Sequence, residues 1–95
     1  MPDVVSVPDL TDAPHATVFE SDPRVVRLAL DADQRLPAHR HPGETVLFHV
    51  LDGRVNLTLG DGVLELDPGD LARFDGDVDI APHAREESTV LVTFV

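Results

Sequence analysis

The apolar positions of this chain alternate with polar ones rather than recurring at helical spacing. Along residues 25–31, Val26, Leu28 and Leu30 face one way while Val25, Arg27 and Ala29 face the other, the period of two that marks an extended strand. Residues 54–59 repeat the pattern, with Val55, Leu57 and Leu59 on one face and Arg54, Asn56 and Thr58 on the other. Residues 44–52 differ: Val46, Phe48 and Val50 line one face, and Leu47, His49 and Leu51 the other. A strand apolar on both sides is expected to be covered on both sides. Residues 35–41, 63–66, 71–74, 78–81 and 88–95 complete the predicted strands, with Pro82 disturbing the end of 78–81. Nowhere does a helical period persist over three turns.

The punctuation between these runs is equally regular. Residues 31–34, Pro42-Gly43, Asp52-Gly53, Gly60-Asp61-Gly62, 67–70 and Asp75-Gly76-Asp77 all read as turns, since Gly, Pro and Asp supply the backbone angles that turns require. Asp52-Gly53 is in addition a strong hairpin signal. Before residue 24 the chain is polar, and Pro2, Pro8, Pro14 and Pro23 forbid a long helix. Residues 4–7 and 16–20 could form short edge strands there. Short strands with closely spaced turns imply an all-β, antiparallel sandwich or barrel. The length of 95 residues allows one domain, residues 1–95, with 1–23 as a partly irregular lead.

Charge narrows the list of partners. Eighteen acids against seven basic residues give a formal net charge of −11, and every basic residue is arginine. Such a surface repels nucleic acid and anionic membranes. The absence of cysteine excludes disulfides, thiolate zinc sites and thiol catalysis. Residues following Met1 show neither a basic region nor a long apolar run, so a cytoplasmic location is expected.

The candidate chemistry centres on His39 and His41. Two imidazoles at i and i+2 of an extended segment share a face and can clasp one ion or one anion. This stretch resembles the first signature of the cupin family, in which His-x-His is followed by a glutamate and a closing glycine. Pro37, His39, His41 and Gly53 match it, and Pro68-Gly69-Asp70 resembles the opening of the second cupin signature. The resemblance implies an antiparallel jelly-roll barrel whose mouth holds the histidines. It also implies a divalent transition metal (zinc, nickel, iron or manganese) and a small-molecule ligand. Counting in the family's register, Asp33 stands where its first glycine is expected, Val46 where the glutamate is, and Ile80 where the second motif's histidine is. Glu44 keeps the right face parity, about 6–7 Å further along a strand, and is the expected third ligand. His83 is a further candidate, of the wrong parity unless a bulge corrects it.

The other candidates carry less chemistry. Asp75, Asp77 and Asp79 alternate as calcium ligands can, but the full calcium-loop pattern is absent, so a solvated acidic loop is expected. His15, alone beside Pro14, reads as a surface residue, and His49 as packed in an interface or under another strand. The ridge of Leu47, His49 and Leu51 is expected to join two copies in a homodimer. Two function classes follow. One is a cupin that binds a small polar ligand, a weakly held metal, or both; the other is a metal-dependent cupin enzyme of the oxygenase or isomerase class.

Overall fold

The computed structural model describes residues 2–95. Among them eight strands form two antiparallel sheets: β1 (His15–Phe19), β2 (Arg24–Leu30), β3 (Thr45–Asp52), β4 (Val55–Leu59), β5 (Gly62–Leu66), β6 (Leu71–Asp75), β7 (Ile80–Ala84) and β8 (Ser88–Phe94). One sheet has the order β1-β2-β8-β3-β6, the other β5-β4-β7. The alternation predicts an antiparallel sandwich or barrel, and this is the jelly-roll form of it that the resemblance implies. The inward residues of the two sheets meet in one core, in which Leu30, Val46, Phe48, Val50, Leu57 and Val90 are almost wholly buried. No helix among the described residues is long and apolar enough to cross a membrane.

Four expectations are corrected. Residues 35–41 do not form a strand. They touch β7 only through isolated bridges at Arg35–His83 and His39–Ile80, because Pro37 and Pro82 each lack the N–H a ladder needs. Between the two bridges four steps on one chain face three on the other, the extra residue of a bulge. Residues 4–7 are likewise not a strand, and a short 3-10 turn at Val7–Asp9 stands at their end, with Pro8 in its first turn. The strand predicted at residues 78–81 begins later, at Ile80, and continues through Pro82, which is tolerated on β7 because β7 lies at the edge of its sheet. Finally, Asp52-Gly53 is not a hairpin, because β3 and β4 belong to different sheets. Gly53 has φ +85°, and a Cβ there would run into Ser88 and the Glu87 carbonyl. Only glycine can turn the chain from one sheet to the other so closely against β8. The tight hairpin is instead β4–β5, closed by Gly60 and Asp61.

The lead packs back on the larger sheet. Arg27 points away from the core yet is only 7% exposed, because its Nη2 donates to the Asp12 carbonyl at 2.6 Å. Ala29 N–H donates to the Pro14 carbonyl at 2.8 Å. These contacts set the register in which β1 begins and bring His15 opposite Leu28.

Candidate functional site

The segment carrying His39 and His41 is extended but held at few points. His39 N–H donates to the Ile80 carbonyl at 3.0 Å, and Ile80 N–H returns the bond at 2.8 Å. His41 N–H donates to the Gly76 carbonyl at 2.7 Å, and Gly76 N–H donates to the Glu44 carbonyl at 2.8 Å. Between the histidines, Arg40 points the other way and pairs through Nε with Asp79 at 2.6 Å. The Arg40 guanidinium holds the Asp79 carboxyl below its ordinary value. The Asp75–Asp77 loop also has a structural role, since the Asp77 carboxylate accepts from Gly43 N–H at 3.0 Å. With Arg40 drawn outward, both histidines turn toward the barrel.

They meet the rim of a cavity of about 230 Å³, open at one end. Its wall is hydrocarbon: Val26, Leu28, Val46, Phe48, Ile80 and Val92. Its polar lining is His15, Arg24, His39 and His41, and no carboxylate lines it, although the chain carries eighteen acids. The His41 ring lies on Phe94, with centroids 4.5 Å apart and a tilt of 47°. On the same ring stands the Arg24 guanidinium, its Cζ 4.6 Å from the centroid, a cation–π contact that fixes a long side chain at the opening. Arg24 has no carboxylate partner among the described ion pairs. Burial holds the His41 imidazole below its ordinary value; the Glu44 carboxylate opposes this, while positive charge at Arg24 and His39 adds to it. His41 is therefore uncharged at neutral pH, with one ring nitrogen donating and the other accepting.

Of the four side chains expected to hold a metal, the structure brings two to the cavity. His39 and His41 line it. Glu44 does not: it lies against a separate shallow depression with Thr45, Arg73 and Asp77. His83 is also elsewhere. In β7 the side chains of Ile80, Pro82 and Ala84 turn inward, so His83 turns outward, and its Nε2 lies 2.7 Å from Asp33 Oδ1. The bulge falls in the facing segment and leaves the parity of β7 unchanged. His15 is exposed, as expected, and it also stands on the rim of the cavity. Its pairing opposite Leu28 gives it the inward parity of β2, and neither Pro14 nor the sequence around it signals that pairing. Arg24 was equally hidden: it is the first residue of β2, in phase with Val26 and Leu28.

The donor set does not fit a resident metal. Among the described residues, no three His, Asp or Glu side chains stand close enough to share an ion. Catalytic zinc takes three protein ligands and structural zinc four. Val46 and Ile80, which occupy the two ligand positions by register, do point into the cavity, but they bring methyl groups to it.

The cupin domain family model matches residues 26–95. Among solved structures, the chain is similar to an RmlC-like cupin protein from Desulfovibrio desulfuricans. That likeness has a TM-score of 0.86 at 21% identity, over 100% of this chain and 97% of the other. The cupin domain of Cnp3 from Schizosaccharomyces pombe matches with a TM-score of 0.84 at 12% identity, over 95% and 71%. KdgF from a Halomonas species matches at 0.78 and 22%, over 90% and 84%. No curated protein sequence matches the chain. At these identities the structural likenesses speak for the fold alone, while the family model spans most of the chain. The chain therefore belongs to the cupin family.

Proposed function

We propose that this cupin is a binding protein that takes a small organic molecule into its barrel, with the apolar part against the wall and the polar part at the histidine rim. The observation that carries this reading is the cavity itself: hydrocarbon walls, an open mouth, and hydrogen-bonding groups confined to that mouth. A cavity of about 150 Å³ lined by apolar side chains accommodates benzene, so the present one is large enough for an organic body. Two of the positions that would hold a metal in the family's register, Val46 and Ile80, are here part of the apolar wall. An ion at His39 and His41 alone would be held weakly and lost to chelators, which weighs against the oxygenase or isomerase reading.

The test is saturation-transfer NMR with a set of apolar and amphipathic fragments, on wild type and on Val46→Phe, which fills the cavity. Binding to wild type and its loss in Val46→Phe support the reading; equal binding to both contradicts it. Elemental analysis of protein purified without a nickel column tests the alternative. One transition metal per chain would restore the metal-dependent reading.

The assembly proposed with this function is a homodimer through the outer face of β3 and β6. Leu47 and His49 are half-buried there, while Leu51 and Leu71 remain 39% and 62% exposed. Apolar groups so placed are best covered by the same face of a second copy.

A further inference from the structure

We propose that the ligand of this cavity is a small monocarboxylate with an apolar body of about six to eight carbons, anchored at its carboxylate by Arg24. This rests on the cavity being the binding site, as proposed above, and adds the chemical class of what enters it.

Three observations carry the inference. The wall is hydrocarbon throughout, so the part of the ligand that enters must be apolar. The mouth holds the Arg24 guanidinium, which has no ion-pair partner among the described residues, in a chain whose acids outnumber its basic residues by eighteen to seven. What sets Arg24 apart is its place: it is the one arginine lining the cavity, and its contact with Phe94 holds the guanidinium at the opening, where the anionic end of a ligand can reach it. The third is the absence of any carboxylate from the lining, which disfavours amines and other cations as ligands.

The geometry favours a carboxylate over other anions. Guanidinium offers parallel N–H donors that match two carboxylate oxygens. His41, which also packs on the Phe94 ring, adds a ring nitrogen to the opening. The net charge of −11 selects for one negative charge rather than several. Each further charge on the ligand meets the same unfavourable field without a second unpaired guanidinium at the mouth. The volume sets the length: about 230 Å³, against the 150 Å³ that takes a six-carbon ring.

The experiment compares hexanoate, hexanol and adipate by titration calorimetry on the whole chain, in the presence of a chelator. Hexanoate is expected to bind about tenfold or more tightly than hexanol, as a charge-assisted hydrogen-bonded pair warrants, with adipate weaker than hexanoate. Arg24→Gln should erase the advantage of hexanoate over hexanol. Arg24→Lys, which keeps the charge but not the fork, should retain only part of it. Arg73→Gln alters the net charge identically on the outer face of β6 and should change neither affinity. Hexanol binding as tightly as hexanoate, or adipate binding more tightly, overturns the carboxylate assignment while leaving the cavity reading intact. If neither hexanoate nor hexanol binds, both fail. Should Arg24→Gln not fold, the wild-type ranking of the three probes decides the matter unaided.

Discussion

Replacing Gly76 with alanine tests how the site is held together. Gly76 lies between β6 and β7 and outside the left-handed region, so the substitution adds no backbone strain. It adds a methyl group where the carbonyls of His41 and Glu44 already stand. Those atoms are main chain and cannot rotate away. Overpacking of this kind costs about 1–3 kcal/mol. If the 41–44 loop swings aside instead, the bonds from His41 N–H to Gly76 and from Gly76 N–H to Glu44 are lost. At about 0.5–1.5 kcal/mol each, that route costs a similar amount. Either way about 2 kcal/mol is expected, which for a domain of this size lowers Tm by about 8–16 °C. Thermal unfolding followed by far-ultraviolet circular dichroism measures it, since the chain has no Trp or Tyr. Gly69→Ala is the control, because nothing lies within 4 Å of a Cβ there, although φ is +90°. That variant should lose stability to backbone strain while leaving the His41 and Phe94 ring resonances in place; Gly76→Ala should move them. A Gly76→Ala protein that melts within about 2 °C of wild type, with unchanged ring resonances, would show that this loop does not seat His41.

Other outcomes follow from the same geometry. NMR titration should place the His41 midpoint below the ordinary histidine value of 6.5. A depressed folded value means that the neutral ring favours the fold above the ordinary value, and that this stability is lost as pH falls through the lowered one; a midpoint at or above 6.5 contradicts the burial argument. Phe48→Ala, which truncates a ring that is 2% exposed on the cavity wall, should cost about 3–5 kcal/mol in denaturant unfolding. Light scattering at high micromolar concentration should give a dimer, and Leu71→Asp should give a monomer. Tm should rise from low to molar sodium chloride as the charge of −11 is screened, and a flat or falling curve counts against self-repulsion.

Much of the fold could be read from alternation alone, because a half-buried strand writes its burial into every second residue. β2, β4 and β8 emerge that way. The segment at 35–41 did not: its alternation was correct, with Arg40 opposed to the histidines, but two prolines on facing chains removed the donors that would have made it a strand. Asp52-Gly53 carries the composition of a hairpin, and only the placement of β3 and β4 in different sheets separates a hairpin from a turn between sheets. At the site, His39 and His41 were legible because i and i+2 spacing is local. Val46 and Ile80 were legible as inward positions through family register. His15 and Arg24 were not, since each reaches the rim through pairing with residues distant in sequence. Glu44 and His83 show the reverse, being near the motif in sequence and turned away from the cavity in space.

The most direct test of the central claim is methyl NMR on protein labelled at Ile, Leu and Val, titrated first with zinc and then, in a fresh sample with chelator, with hexanoate. The account predicts that hexanoate shifts the methyls of Leu28, Val46, Ile80 and Val92 on the cavity wall, leaves Leu71 on the outer face unmoved, and does so without metal. Wall methyls that stay still with hexanoate, or that respond to it only once zinc is bound, would contradict it.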